Sequence, residues 1–92
     1  MKKAISDFLE SHTCKFRWID KETVGLYIPE KDEVYINLYL LIAETLLHEF
    51  LHFQYPYLGE VEIEAKTRKK VKNMKVDEIR ELVDYLIAFK ED

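Results

Sequence analysis

Two histidines four residues apart with a glutamate between them, His48-Glu49-Phe50-Leu51-His52, are the residues of this chain best placed to do chemistry. On a helix, residues four apart leave the same face about 6 Å apart along the axis, so both imidazoles can close on one metal ion. Glu49 is carried about 100° further round than His48, toward a water in an open coordination position, where a carboxylate can take a proton. The H-E-x-x-H spacing therefore predicts two metal ligands, His48 and His52, and a general base, Glu49, serving metal-assisted hydrolysis.

The surrounding residues, 38 to 55, read LYLLIAETLLHEFLHFQY, with no Gly or Pro and apolar side chains in nearly every direction. That pattern predicts a helix buried all round. Its protonatable residues, Glu44, His48, Glu49 and His52, need partners in such a setting, and three of the four belong to the motif. A catalytic zinc takes three protein ligands and keeps a fourth position for water, so one more ligand is required. The remaining histidine, His12, is far upstream, and Tyr55 and Leu58 stand where the longer H-E-x-x-H-x-x-G-x-x-H pattern needs Gly and His. A carboxylate from the next helix is the alternative, and Glu60, Glu62 and Glu64 are available. If that helix folds back from a turn at 56–59, Glu62 and Glu64 lie level with His52, whereas Glu60 sits beside the helix end. Ile63, Thr67, Val71 and Met74 share one face of it, which favours Glu64 over Glu62.

HEFLH followed closely by EIEA resembles the gluzincins, zinc peptidases whose third ligand is a glutamate on the next helix. In a chain this short it resembles the minigluzincins in particular, a family similar to the catalytic domains of certain integral-membrane metallopeptidases reduced to a soluble minimum. Relatives of this kind carry the ligand in an E-x-x-A-[D/N] pattern. Glu62-Ile63-Glu64-Ala65 matches E-x-x-A and selects Glu62, with Glu64 as runner-up, while Lys66 departs from the acidic or amide residue that would orient a histidine. The match covers residues 38 to 66 by motif, and the rest by size and element order. The resemblance implies one Zn2+ held by His48, His52 and Glu62, and hydrolysis of peptide bonds by a zinc-bound water with Glu49 as base. It also implies an extended peptide or protein substrate paired to an edge of a small sheet. Tyr55, Tyr57, His12 and Tyr85 stand open as the stabiliser of the oxyanion. The rival reading keeps the zinc and drops the catalysis, leaving a zinc-stabilised peptide-binding or regulatory domain.

The chain's 92 residues, 48% of them hydrophobic and 13% aromatic, suffice for one domain, residues 1–92, with one modest core. A net charge of −4 argues against a nucleic-acid module. The one basic run, KTRKKVKNMK at 66–75, has no interleaved aromatic residues to stack bases and reads as a solvated helix face. Cys14 is alone and forms no internal disulfide, and Asp7 and Glu10 interrupt the apolar run a signal peptide would need, so a cytoplasmic protein is expected. No uncharged apolar stretch approaches the roughly 20 residues of a membrane span. One Gln and two Asn beside 35% charged residues match the composition of heat-adapted proteins.

Periodicity places these residues in an α+β fold: a small three-stranded antiparallel sheet packed with the motif helix, a glutamate helix and a C-terminal helix. A short amphipathic helix spans 2–12, strands occupy 16–18, 24–28 and 34–38, and Asn37 caps the motif helix. Pro56 ends that helix, a charged helix covers 60–74, and a last helix, capped by Asp77, covers 77–90. An exposed strand edge beside an open metal position predicts self-association and latency, with the cleft filled by the chain itself or by a second copy. His12, Cys14 and the terminal carboxylates of Glu91 and Asp92 are the segments available to fill it.

Overall fold

The computed structural model describes residues 1–90, and Glu91 and Asp92, named above as a blocking segment, lie outside them. The element order is α1 (Lys2–Ser11), β1 (Thr13–Phe16), β2 (Gly25–Ile28), β3 (Glu33–Ile36), α2 (Leu38–Gln54), α3 (Glu60–Asn73) and α4 (Val76–Lys90), with one 3-10 turn at Pro29–Lys31. The fold is α+β, as expected. Two compact units divide the chain, one from Met1 to Leu38 and one from Tyr39 onward. No helix of the described residues is long and apolar enough to cross a membrane.

In the first unit the sheet is mixed, which corrects the purely antiparallel expectation. The strand order is β1-β3-β2, with β1 parallel to β3 and β2 antiparallel to it. Alternating side chains announce strands without saying which neighbours pair. The β2–β3 connection is tight, and Asp32 closes it in the left-handed region at φ 51°, a conformation that Asp tolerates better than most residues. The β1–β2 connection instead crosses the end of β3. Two strand spacings, about 9.6 Å, must be bridged there, and residues 17–24 do so. The ends of this loop bond to the end of β3 through Arg17 N–H to Ile36 O (2.9 Å) and Asn37 N–H to Val24 O (2.8 Å).

Asn37 holds the crossing. It is fully buried, the one such residue in the first unit, and its amide donates to Asp20 O (2.9 Å) and Thr23 O (3.0 Å). Asp20 folds the same loop from inside, accepting from the Glu22 and Thr23 backbone and the Thr23 hydroxyl. These bonds hold its carboxyl below the usual carboxylate range, the Glu22 N–H contributing most. The task these bonds give Asn37, expected from the sequence as the cap of α2, is to tie a loop to the last residue before that helix.

All the fully buried apolar residues lie in the second unit. They form stripes at helical spacing: Leu40, Ala43, Leu47 and Leu51 on α2, Ile63 and Val71 with Thr67 on α3, Ile79 and Val83 on α4. The α3 stripe is the one expected. α2 departs from expectation, because it buries one face only: Leu41 and Phe50 are partly open and Phe53 is 82% exposed. α4 begins one residue earlier than expected, and Asp77 lies in its first turn. Glu78 supplies the terminal bond instead, accepting from Lys75 N–H at 3.0 Å, the reaching-back half of a capping box.

Because the buried Asn37 amide makes two part-buried hydrogen bonds to the loop, Asn37→Ala is expected to cost about 1–3 kcal/mol of unfolding free energy. Urea denaturation measures it. A loss near zero would mean that the loop carbonyls find other donors.

Candidate metal centre

α2 ends in a turn that decides which carboxylate meets the histidines. Tyr55 N–H still bonds to Leu51 O (2.8 Å), Leu58 N–H closes back on Tyr55 O (3.1 Å), and Gly59 precedes α3, its carbonyl taking the Ile63 N–H (3.0 Å). Glu60 is therefore the first residue of α3, where free N–H groups and the helix dipole favour a carboxylate. From there its side chain reaches the last two turns of α2. One carboxylate oxygen lies 3.2 Å from His48 Nε2, and the other contacts His52 Nε2. The two Nε2 atoms are 3.1 Å apart, with the rings edge to face at 4.8 Å.

A ring N–H donated from one imidazole to the other, with the carboxylate accepting from a ring N–H, satisfies this cluster, and the same three donors could hold a metal ion. His48, His52 and Glu60 are the one group among the described residues able to hold a metal ion, their ligand atoms all lying within 4.8 Å of one another. Both histidines are half-buried and Glu60 is exposed, which leaves a side of the group open.

The structure brings together His48 and His52 as the motif required, and adds Glu60 where the sequence selected Glu62. Glu62 is exposed on α3 outside the group, and Glu64 pairs with Arg68 at 3.8 Å. Glu60 lies beside the helix end, and His52 is itself in the last turn of α2, so the helix end is where this carboxylate meets it. Glu49 is exposed, stands outside the group, and has no hydrogen bond or ion pair among the described residues.

The four candidates for an oxyanion donor are scattered. Tyr55 carries Lys66 Nζ 4.9 Å from its ring centre and meets the Tyr57 ring at 6.3 Å, while Tyr85 stacks on Phe89. His12 belongs to the first unit, stacked on Phe8 at 4.3 Å, with Nε2 3.4 Å from the Tyr27 hydroxyl and 3.8 Å from Asp32. Cys14 is exposed on β1. Comparisons with protein-family models, curated proteins and solved structures gave no match.

Glu60→Ala is expected to weaken Zn2+ binding by at least about a hundredfold, more than loss of an outer-shell partner costs. Glu62→Ala and Glu64→Ala should leave it within about twofold, read by competition with a chromophoric chelator. The reverse ranking would restore the assignment drawn from the E-x-x-A match.

One turn before His48, Glu44 is half-buried, and loss of hydration raises its pKa above the ordinary 4.5 even though Arg68 on α3 pulls it down. The folded protein thus binds this proton more tightly than the unfolded chain, and stability falls as pH rises from 4.5 through the folded value. Glu44→Gln should raise the melting temperature of metal-free protein at about pH 7, with the gain gone near pH 4. Equal gains at both would assign the effect to something other than ionisation.

Proposed function

We propose that this chain is a zinc-dependent peptidase in which His48, His52 and Glu60 hold the ion and Glu49 is the general base. The observation that carries the reading is the convergence of His48 Nε2, His52 Nε2 and the Glu60 carboxylate on one point from two helices. When bound, zinc lowers the pKa of a coordinated water and polarises a carbonyl oxygen.

The protein's own part follows from the side chains. His48 and His52 donate through Nε2 in the neutral form, and Glu60 adds one negative charge, leaving the site a net cation with an open side. Glu49 follows His48 on the helix and projects from the neighbouring face, exposed and uncommitted among the described residues. Its carboxylate takes the proton of the attacking water and returns it to the departing amine. Within the first unit, β1 and β2 each have one strand neighbour, so each leaves an edge on which an extended segment can pair. The same edges support the self-association and latency expected from the sequence. Exposed, unpaired Cys14 supports residence in the cytoplasm.

One feature favours the rival reading of a zinc-stabilised binding domain: the three donors bridge the end of α2 to the start of α3, as a structural staple would. Glu49→Gln separates the two. It should keep one Zn2+ per chain and the melting temperature while lowering cleavage of an unstructured polypeptide by at least about a hundredfold. Unchanged turnover would remove Glu49 from the mechanism. A fully zinc-loaded wild type that is stabilised by the metal and cuts nothing would establish the binding domain instead.

A further inference from the structure

Beside the end of α2 and the second half of α3 lies an open surface groove of about 450 Å³. Leu51, Tyr55 and Met74 give it a buried or half-buried apolar floor, and the exposed side chains of Lys66, Lys69 and Lys70 stand around it. No carboxylate lines it, and none of the three lysines has an acidic partner within ion-pair distance among the described residues. The volume is in the range of small-ligand pockets.

The charge pattern is not explained by helix stability. Lys70 lies in the last turn of α3, where the dipole favours a cation, but Lys66 and Lys69 lie further in. Lys66 has Glu62 four residues before it, a favourable spacing though not within ion-pair distance, but Lys69 and Lys70 have only like charges or neutral residues three and four positions away on the helix. Lys66 is drawn inward, its ammonium 4.9 Å from the Tyr55 ring centre. A chain of net charge −4 thus concentrates unpaired positive charge around an apolar floor.

We propose that this groove binds an acidic peptide segment carrying a large aliphatic side chain. The carboxylates pair with Lys66, Lys69 and Lys70, and the aliphatic group lies on Leu51 and Met74. A nucleic acid suits it less, because the one aromatic ring already carries Lys66 on a face that a base would need. Leu51 on α2 and Tyr55 just past its end project on the side of His52 away from Glu49, so occupancy of the groove needs neither Glu49 nor a metal.

The test uses the full chain in chelator, with a fluorescein-labelled peptide of sequence Glu-Glu-Leu-Glu-Glu followed by anisotropy. Saturable binding is expected, weakened about tenfold or more by Lys69→Glu with Lys70→Glu, by the all-Gln peptide and by high salt. Replacing the peptide Leu with Ser should weaken it several-fold, and Lys2→Glu with Lys3→Glu, on α1, should leave it unchanged. Circular dichroism checks the fold, and Lys69→Ala with Lys70→Ala repeats the test with a milder change. Absence of saturable binding, equal loss in the α1 variant, indifference to the Leu-to-Ser change, or equally tight binding of a single-stranded oligonucleotide of the same charge would each overturn the proposal.

Discussion

Everything at the His48–His52–Glu60 cluster depends on two imidazole nitrogens being held 3.1 Å apart. Helical spacing brings them to one face, where one nitrogen can donate to the other in the right pair of tautomers. α3 adds a carboxylate to that pair. Glu60 can supply it because it is the first residue of that helix, positioned by a turn of a few residues and favoured there by the free N–H groups of the helix end. Lengthening the turn would move that carboxylate without touching either histidine. The short 55–59 connection is therefore as much a part of the site as the motif.

A similar economy governs the sheet. One buried amide, that of Asn37, secures the loop crossing the end of β3 and stands immediately before α2. The order β1-β3-β2 requires such a crossing, since consecutive strands β1 and β2 are not neighbours. A polar side chain does this better than an apolar one because the loop presents carbonyls inward, and carbonyls without donors are costly to bury.

Much of this was legible in the residues. The helix carrying His48 and His52, the buried face of α3 and the α+β class follow from periodicity, which reports local geometry directly. What periodicity does not encode is relation between segments. β1 and β2 read as strands, yet their order about β3 depends on a loop whose path is set by Asn37, a residue legible only as a cap. Choosing Glu60 over Glu62 or Glu64 required knowing where α2 stops relative to His52 and how tightly Leu58 closes on Tyr55. Phe50 and Phe53 misled in another way: in sequence they made α2 look buried all round, and in the fold they face outward. An apolar residue forecasts burial less surely than a stripe of them does.

That Asn37 is the first unit's one fully buried residue bears on how the chain unfolds. Heat capacity and denaturant sensitivity scale with the apolar surface newly wetted. The stripes on α2, α3 and α4 hold the apolar burial, so the heat-capacity increment belongs chiefly to the helices. The strands, held by backbone bonds and one amide, would open with a shallow denaturant dependence and exchange their amide protons early. An edge of such a sheet would be soft, able to adjust its register to whatever strand pairs with it.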